Sequence, residues 1–158
     1  MNSAYVALGS NKGRRQAALR AALARLAGLP GTRVVAVADF RETEPVGAPP
    51  DSPKFINSVA ALETVLGPRE LLDGLLSIEA ALGRDRRLEP KNGPRTVDLD
   101  LLLYDDLVLR EPDLQLPHPQ MHQRAFVLGP LAQIAPEARH PVLRATIAEL
   151  LAKLQVTA

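Results

Sequence analysis

Apolar residues recur along this chain with two different periods, one typical of strands and one typical of helices. Four segments have the alternating or β-branched composition of strands: residues 4–8, 33–40, 55–66 and 96–104. Two segments carry leucines at helical spacing and end at a glycine: residues 12–27 and 68–82. The pattern therefore predicts the order strand, helix, two strands, helix, strand.

Further elements follow the last of these strands. A short hairpin arm is expected at residues 107–109, and short helices over residues 125–132 and 146–154. Two strand-helix-strand units that share one antiparallel sheet form the ferredoxin-like pattern. We therefore predict a ferredoxin-like α+β fold, with an antiparallel sheet backed by helices and extra C-terminal elements. A length of 158 residues favours a single domain, residues 1–158.

Asp98 and Asp100 interrupt a strand that is otherwise strongly apolar. Side chains alternate faces along a strand, so both carboxylates lie on one face, about 7 Å apart. The apolar residues at 97, 99, 101 and 103 are expected on the other face. An edge strand with a solvated acidic face is the alternative interpretation. Carboxylate oxygens are ligands that suit Mg²⁺, which also binds substrate phosphates.

Two segments between the elements have the composition of long loops. Prolines exclude both helix and central strand from residues 45–53. Residues 84–95 are basic. The backbone position of Arg84 is set by the preceding Gly83, and that of Arg95 by the preceding Gly-Pro pair. A guanidinium placed in this way can hold phosphate oxygens through two hydrogen bonds. Together with the aspartates, this loop predicts Mg²⁺ and a polyphosphate.

Composition removes other classes of function. Lys and Arg number 19 against 18 Asp and Glu, so no global positive field indicates a nucleic-acid binder. The chain has no cysteine, which excludes disulfides and thiolate chemistry. No secretory signal is indicated at the N-terminus, and the longest segment without charge, residues 125–136, is too short to span a membrane. We therefore expect a cytoplasmic protein that acts as a monomer.

Several other residues have both a structural and a functional interpretation. In the segment from Gly9 to Gly13, Ser10 or Asn11 is expected to cap the first helix, because the spacing does not match a Walker A loop. His118 lies between two prolines and is either a structural residue or a neutral donor to a phosphate oxygen, and Arg124 can act similarly. We expect the other two histidines, at positions 122 and 140, on the surface.

Phe55, Asn57 and Phe126 are candidates for binding a flat heterocycle. Aromatic residues at such positions are more often part of a core. Phe55 and Asn57 nevertheless share one face of the predicted strand, and the Asn57 amide offers a donor and an acceptor in an apolar setting. Reading the edge of a heterocycle between stacking rings requires this combination.

Together these residues closely resemble one family, the 6-hydroxymethyl-7,8-dihydropterin pyrophosphokinases of folate biosynthesis. The resemblance rests on these segments: residues 5–11, 43–47, 55–57, 93–100, 116–119 and 124–136. It implies transfer of the β,γ-pyrophosphoryl group of ATP to the hydroxymethyl group of the dihydropterin, with release of AMP. It also implies small-molecule substrates, with neither nucleic acid nor membrane as partner.

The same resemblance implies roles for individual residues. Asp98 and Asp100 would hold two Mg²⁺ ions and, with Arg84 and Arg95, form the catalytic centre. ATP would contact Glu79, Arg84, Arg95, Leu101, His118 and Arg124. The pterin would contact Thr43, Glu44, Val46, Phe55, Asn57 and Phe126, with the two phenylalanines on opposite sides of its ring. The chain departs from the family pattern at Asn92, Asp113 and Pro119.

Two other functions share parts of this pattern. Palm-type nucleotidyl transferases and cyclases also carry paired aspartates on a ferredoxin-like sheet, and they release pyrophosphate. A non-catalytic ferredoxin-like module would bind ligands without turnover. The nucleotide product separates these hypotheses, because only the pyrophosphokinase forms AMP.

Overall fold

The computed structural model describes residues 1–44, 51–83 and 96–157, with the backbone alone at 156 and 157. The strands in these residues are Asn2–Ser10 (β1), Thr32–Val37 (β2), Arg41–Thr43 (β3), Phe55–Thr64 (β4), Asp98–Tyr104 (β5), Leu109–Glu111 (β6) and Leu114–Leu116 (β7). The α-helices are Arg15–Ala27 (α1), Pro68–Ala81 (α2), Ala125–Ile134 (α3) and Ile147–Thr157 (α4), with a 3₁₀ turn at Met121–Gln123. No helix in the described residues is long and apolar enough to cross a membrane.

The main sheet has the strand order β2-β4-β1-β5, and every neighbouring pair is antiparallel. This order and the helices that connect the strands confirm the ferredoxin-like α+β fold. The strand predicted over residues 33–40 is β2, which ends at Val37. A further short strand that was not predicted, β3, pairs with another part of β4. Strands β6 and β7 form a separate hairpin.

Helices α1 and α2 cover one face of the sheet. Buried leucines of α1, at positions 19 and 26, and of α2, at positions 71 and 75, pack against Val6 and Leu8 of β1. The predicted apolar stripe of α2 is therefore confirmed. Pro68 and the Glu70 carboxylate, which accepts a hydrogen bond from Gly67 N–H at 3.0 Å, begin the helix.

The C-terminal elements cover the opposite face. Val127, Leu128 and Leu131 of α3 and Ile147 of α4 are buried in a second apolar cluster together with Val59 of β4. The extension predicted from the sequence is therefore a second helical layer. It lies on the face of the sheet that also carries the paired aspartates.

A bulge in β5 changes the alternation that was predicted for this strand. Val6 pairs with Leu101 and Tyr5 with Leu103, so Leu102 is an extra residue between two adjacent positions of β1. Leu103 consequently packs in the cluster beneath α3 and α4, on the aspartate face. The prediction that Leu103 lies on the other face, with Leu99 and Leu101, is wrong for this reason.

The turn after β1 does not cap α1 as predicted. Arg14 occupies the N-cap position, and no side chain accepts a hydrogen bond there. Ser10 and Asn11 are instead buried. The Asn11 amide donates a hydrogen bond to the Pro53 carbonyl oxygen at 3.2 Å. The turn therefore joins β1 to the segment before β4, since its polar side chain is used for that contact.

Candidate active site

One row of paired residues crosses four strands of the sheet. Arg41 of β3 pairs with Asn57 of β4. Asn57 pairs with Gly9 of β1, and Gly9 pairs with Asp98 of β5. Directly paired residues in antiparallel strands have their side chains on the same face. Because strands lie about 4.8 Å apart, the backbone positions of Asn57 and Asp98 are separated by about 10 Å, with Gly9 between them.

Gly9 has no side chain, which lets the side chains of Asn57 and Phe55 lie close to its backbone. A Cβ atom here would lie 2.8 Å from Oδ1 of Asn57 and 3.3 Å from Cδ1 of Phe55. Both distances are too short for comfortable contact, so a larger residue would displace the amide or the ring. Nδ2 of Asn57 also donates a hydrogen bond to Oγ1 of Thr43 on β3. The structure thus brings three of the predicted pterin-site residues together.

Asp98 and Asp100 lie on the same face of β5, beside small residues of β1. Asp98 is paired with Gly9 and Asp100 with Ala7, and both aspartates are partly exposed. Among the described residues, no three His, Asp or Glu side chains are arranged to hold a metal ion. A pair of carboxylates nevertheless fits Mg²⁺, because this ion commonly takes one or two carboxylates and completes its shell with phosphate oxygens and water.

Glu79 of α2 fixes the backbone between the two aspartates. Its side chain is only 2% exposed, and Oε2 accepts a hydrogen bond from the Leu99 N–H at 2.7 Å. A buried N–H on an outer strand needs an acceptor, and a carboxylate provides a strong one. Glu79 therefore holds the strand that carries both predicted metal ligands, and its contact with ATP stays a prediction.

His118 is attached to the outer edge of β5 by its own backbone. The peptide bond before Pro117 is cis, and the His118 N–H donates to the Leu102 carbonyl oxygen at 2.9 Å. Nδ1 of the ring accepts a hydrogen bond from the Gln120 N–H at 3.2 Å. The proton of the neutral ring is therefore on Nε2, because Nδ1 is used as an acceptor.

The surroundings of His118 keep its imidazole neutral. Burial and then the positive charge of Arg124 lower the pKa of His118 to about 4, although the charge of Asp98 opposes this shift. Near pH 7 the side chain has no charge and retains an Nε2–H. His118 thus lies near both Arg124 and Asp98 as a neutral hydrogen-bond donor.

Helix α3 carries Phe126 to the same face of the sheet. The Arg124 guanidinium lies 5.6 Å from the centroid of the Phe126 ring, in a cation–π contact. Gly129 lets α3 approach β3, because a Cβ atom there would be 3.1 Å from Nη1 of Arg41. Oε1 of Gln133 accepts a hydrogen bond from the Asp39 N–H at 2.9 Å. Helix α3 is thus held close to the strands that carry Phe55 and Asn57.

The other predicted site residues lie outside the described ranges or have side chains that contact other parts of the structure. Val46, Arg84 and Arg95 lie outside the described residues. Glu44 is exposed, and its carboxylate lies 3.4 Å from the Lys54 ammonium. The side chain of Leu101 is buried in the cluster beneath α1 and α2, which leaves its backbone for the predicted contact with ATP.

The prediction that both remaining histidines lie on the surface is wrong for His140. That side chain is 5% exposed, and Nδ1 accepts hydrogen bonds from the N–H groups of Val142 at 3.3 Å and Leu143 at 3.0 Å. Burial, followed by the nearby charge of His122, lowers the pKa of His140. The rings of His122 and His140 are 6.1 Å apart, at the wall of a cleft of about 300 Å³.

Three residues near the site were not predicted from the sequence to belong to it. Arg41 lies in the same row as Asn57, and Asn11 and Arg15 hold the backbone just before Phe55. The short spacing from Arg41 to Thr43 was the available signal, since both fall on one face of a strand. Nothing in the sequence indicated that the turn after β1 would reach the start of β4.

Known proteins resemble this chain in sequence over most of its length. Residues 5–136 match a family model described as 7,8-dihydro-6-hydroxymethylpterin-pyrophosphokinase (HPPK). The chain is 50% identical over 137 residues to the 2-amino-4-hydroxy-6-hydroxymethyldihydropteridine pyrophosphokinase of Pseudomonas aeruginosa, which covers 87% of this chain and 83% of the relative. It is 47% identical over 155 residues to the protein of the same name from Methylorubrum extorquens. This match covers 98% of the present chain and 94% of the relative.

The fold is also found in a longer crystallised chain. The wild-type HPPK-DHPS of Plasmodium falciparum with pteroate matches with a TM-score of 0.75 at 16% identity. The match covers 96% of this chain and 42% of that one, so the present chain spans less than half of its length. At this identity the likeness concerns the fold alone. The sequence matches show that the chain belongs to the 7,8-dihydro-6-hydroxymethylpterin-pyrophosphokinase family.

Proposed function

We propose that this protein transfers the β,γ-pyrophosphoryl group of ATP to the hydroxymethyl oxygen of 6-hydroxymethyl-7,8-dihydropterin in folate biosynthesis, giving AMP and the pterin diphosphate. The observation that carries the proposal is the row Asn57, Gly9 and Asp98. It places an amide that can read a heterocycle and a carboxylate that can hold Mg²⁺ on one face, about 10 Å apart. Gly9 between them has no side chain, so the Asn57 amide and the Phe55 ring lie close to its backbone.

The acceptor would lie on this face of the sheet, against Asn57 and Phe55. Asn57 and the backbone of Thr43, Glu44 and Val46 would bind the polar edge of the pterin. Phe55 and Phe126 would lie against its two faces, since aromatic rings favour stacked contacts. In this orientation the hydroxymethyl group is directed away from Asn57 and toward β5. The attacking oxygen would therefore reach the carboxylate side of the site.

The donor would lie at the opposite side of the row, near β5. Asp98 and Asp100 would hold two Mg²⁺ ions, which when bound neutralise the triphosphate and orient the hydroxymethyl oxygen. The neutral Nε2–H of His118 would donate to a phosphate oxygen, and Arg124 would add a positive charge. Glu79 supports this side by holding the Leu99 backbone. Arg84 and Arg95 complete the proposed ATP site.

The chemistry requires positioning and charge stabilisation more than covalent participation. The hydroxymethyl oxygen loses its proton to solvent and forms a bond to the β-phosphorus, while the bond from that phosphorus to the oxygen bridging to the α-phosphate breaks. AMP leaves with the bridging oxygen. The described groups suit these needs, since they comprise carboxylates, a guanidinium and a neutral imidazole rather than a nucleophile.

The nucleotide product tests the proposal. The protein is incubated with Mg-ATP and 6-hydroxymethyl-7,8-dihydropterin, and the nucleotides are separated by chromatography. We expect AMP and pterin diphosphate in equal amounts, and no AMP when the pterin is omitted. Release of pyrophosphate instead would show a nucleotidyl transferase or cyclase. Binding of both ligands without any product would favour the non-catalytic module.

One chain is expected to be sufficient for this activity. We therefore expect a monomer, with the sedimentation mass of one chain at micromolar concentration. A stable dimer whose dissociation abolished AMP formation would contradict this expectation.

A further inference from the structure

We infer that Arg15 is a positioning residue that aligns Phe55 and Thr43 for the pterin, an inference that rests on the proposed function. Arg15 is the first residue of α1, and its guanidinium contacts two other segments. Nη1 donates a hydrogen bond to the Lys54 carbonyl oxygen at 2.8 Å. Nη2 lies 3.4 Å from Oε2 of Glu42 on β3. One side chain therefore joins α1, β3 and the residue before β4.

These contacts lie beside the last pair of the β3–β4 ladder. Thr43 is paired with Phe55 at the end of β3, which has only three residues. A short ladder frays at its end unless further contacts hold both strands. Arg15 contacts the neighbour of each residue in this pair, Glu42 on one strand and Lys54 on the other. Arg15 therefore restrains the backbones of both strands beside Thr43 and Phe55, where the pterin would bind.

Asn11 supplies a second contact of the same kind. Its amide donates a hydrogen bond to the Pro53 carbonyl oxygen at 3.2 Å. Two successive carbonyl groups before Phe55 are thus fixed by side chains, one from the turn after β1 and one from the first residue of α1. The Phe55 ring lies close to Gly9, with little space for a shift toward β1. A displaced backbone at residue 54 would therefore move the ring out of its stacking position.

Helix stability does not account for an arginine at this position. The first turn of α1 contains no acidic residue, and a cation there opposes the positive end of the helix dipole. Replacing Arg15 relieves this repulsion while it removes the two contacts. We therefore expect a change in the alignment of β3 and β4 with little change in the melting temperature.

Steady-state kinetics of the full chain with Mg-ATP and the dihydropterin test this inference. Arg15→Ala should raise the KM for the pterin about tenfold, the factor expected for a lost hydrogen bond from a charged donor. The KM for ATP and kcat should change less than about twofold, because the groups near β5 are untouched. Arg15→Lys should give an intermediate KM, since an ammonium can reach one acceptor but lacks the two-pronged geometry of a guanidinium.

Arg14→Ala is the matched control, because it removes the same charge from the adjacent exposed position. Its pterin KM should equal that of the wild type. The Kd for the pterin, read from the ligand's own fluorescence in a chain without tryptophan, should change in parallel with KM. Equal increases in both KM values, a lowered melting temperature that explains the loss, or an unchanged pterin KM would each overturn the inference. Absence of AMP formation by the wild type would instead contradict the proposed function.

Discussion

At the scale of single residues, the environment of each polar group decides its chemistry. Two carboxylates on β5 remain partly exposed, whereas the Glu79 carboxylate is buried and used to hold the Leu99 N–H. Two of the three histidines have Nδ1 used as an acceptor of backbone hydrogen bonds. The same residue types therefore have different roles, because burial and hydrogen bonding differ.

Asp98→Asn tests the proposed metal ligand. The amide keeps the size of the side chain but removes the negative charge, so Mg²⁺ should bind more weakly. We expect kcat to fall about 10²- to 10³-fold, the scale of several kcal/mol of charge stabilisation. Asp106→Asn, in the exposed turn after β5, is the matched control and should keep full activity. Full activity of Asp98→Asn in AMP formation would show that the assignment is wrong.

The imidazole of His118 should titrate far below an ordinary histidine. Its pKa is lowered from 6.5 to about 4, so the unfolded chain binds the proton more readily than the native state. The native state is therefore fully stabilised above pH 6.5 and loses this stabilisation as the pH falls toward 4. NMR titration of the three histidine rings should show one signal with a pKa of about 4 that His118→Gln removes. An ordinary pKa for that signal would contradict the described burial.

At the scale of elements, small residues decide how closely the strands and helices approach one another. Gly9 on β1 makes room for side chains of β4, and Gly129 on α3 makes room for a side chain of β3. Neither glycine has a positive φ, so packing rather than backbone conformation requires them. The candidate site therefore depends on contacts between elements that are distant in sequence.

Gly9→Ala tests the close packing of Asn57 and Phe55 against the backbone of β1. The added methyl group would be 2.8 Å from Oδ1 of Asn57 and should displace the amide. We expect about 1–3 kcal/mol of destabilisation, as for other overpacked sites, and a higher KM for the pterin than for ATP. Gly28→Ala is the control, since its nearest neighbour would be at 3.5 Å. A pterin KM that equals the wild-type value in Gly9→Ala would contradict the proposed acceptor site.

At the scale of the whole molecule, one sheet separates two helical layers. Helices α1 and α2 cover one face, and α3 and α4 cover part of the other. Asn57, Asp98 and Asp100 lie on the α3–α4 face, which also carries Phe126. The second layer therefore contributes to the candidate site, while the first layer supports the strands from behind through Glu79.

Two core substitutions test the single domain predicted from the length. Ile147 belongs to the α3–α4 cluster and Leu75 to the α1–α2 cluster, and both are buried. Each change to alanine should cost about 2–5 kcal/mol. In one domain, both variants should still unfold in a single calorimetric transition at a lower temperature. Two separate transitions would contradict the prediction. Leu143→Ala, at an exposed position, is the control and should change the free energy of unfolding by less than about 0.5 kcal/mol.

The sequence alone determined the order of the elements, the ferredoxin-like fold and the family. Hydrophobic periods and the paired aspartates depend on residues close together in the chain, so they can be read without coordinates. The separate strand β3 after residue 40, the bulge at Leu102 and the burial of His140 were decided by tertiary structure. So were the contacts of Asn11, Arg15 and Arg41. These features depend on strand register and on close approach between distant segments, which local sequence patterns do not encode.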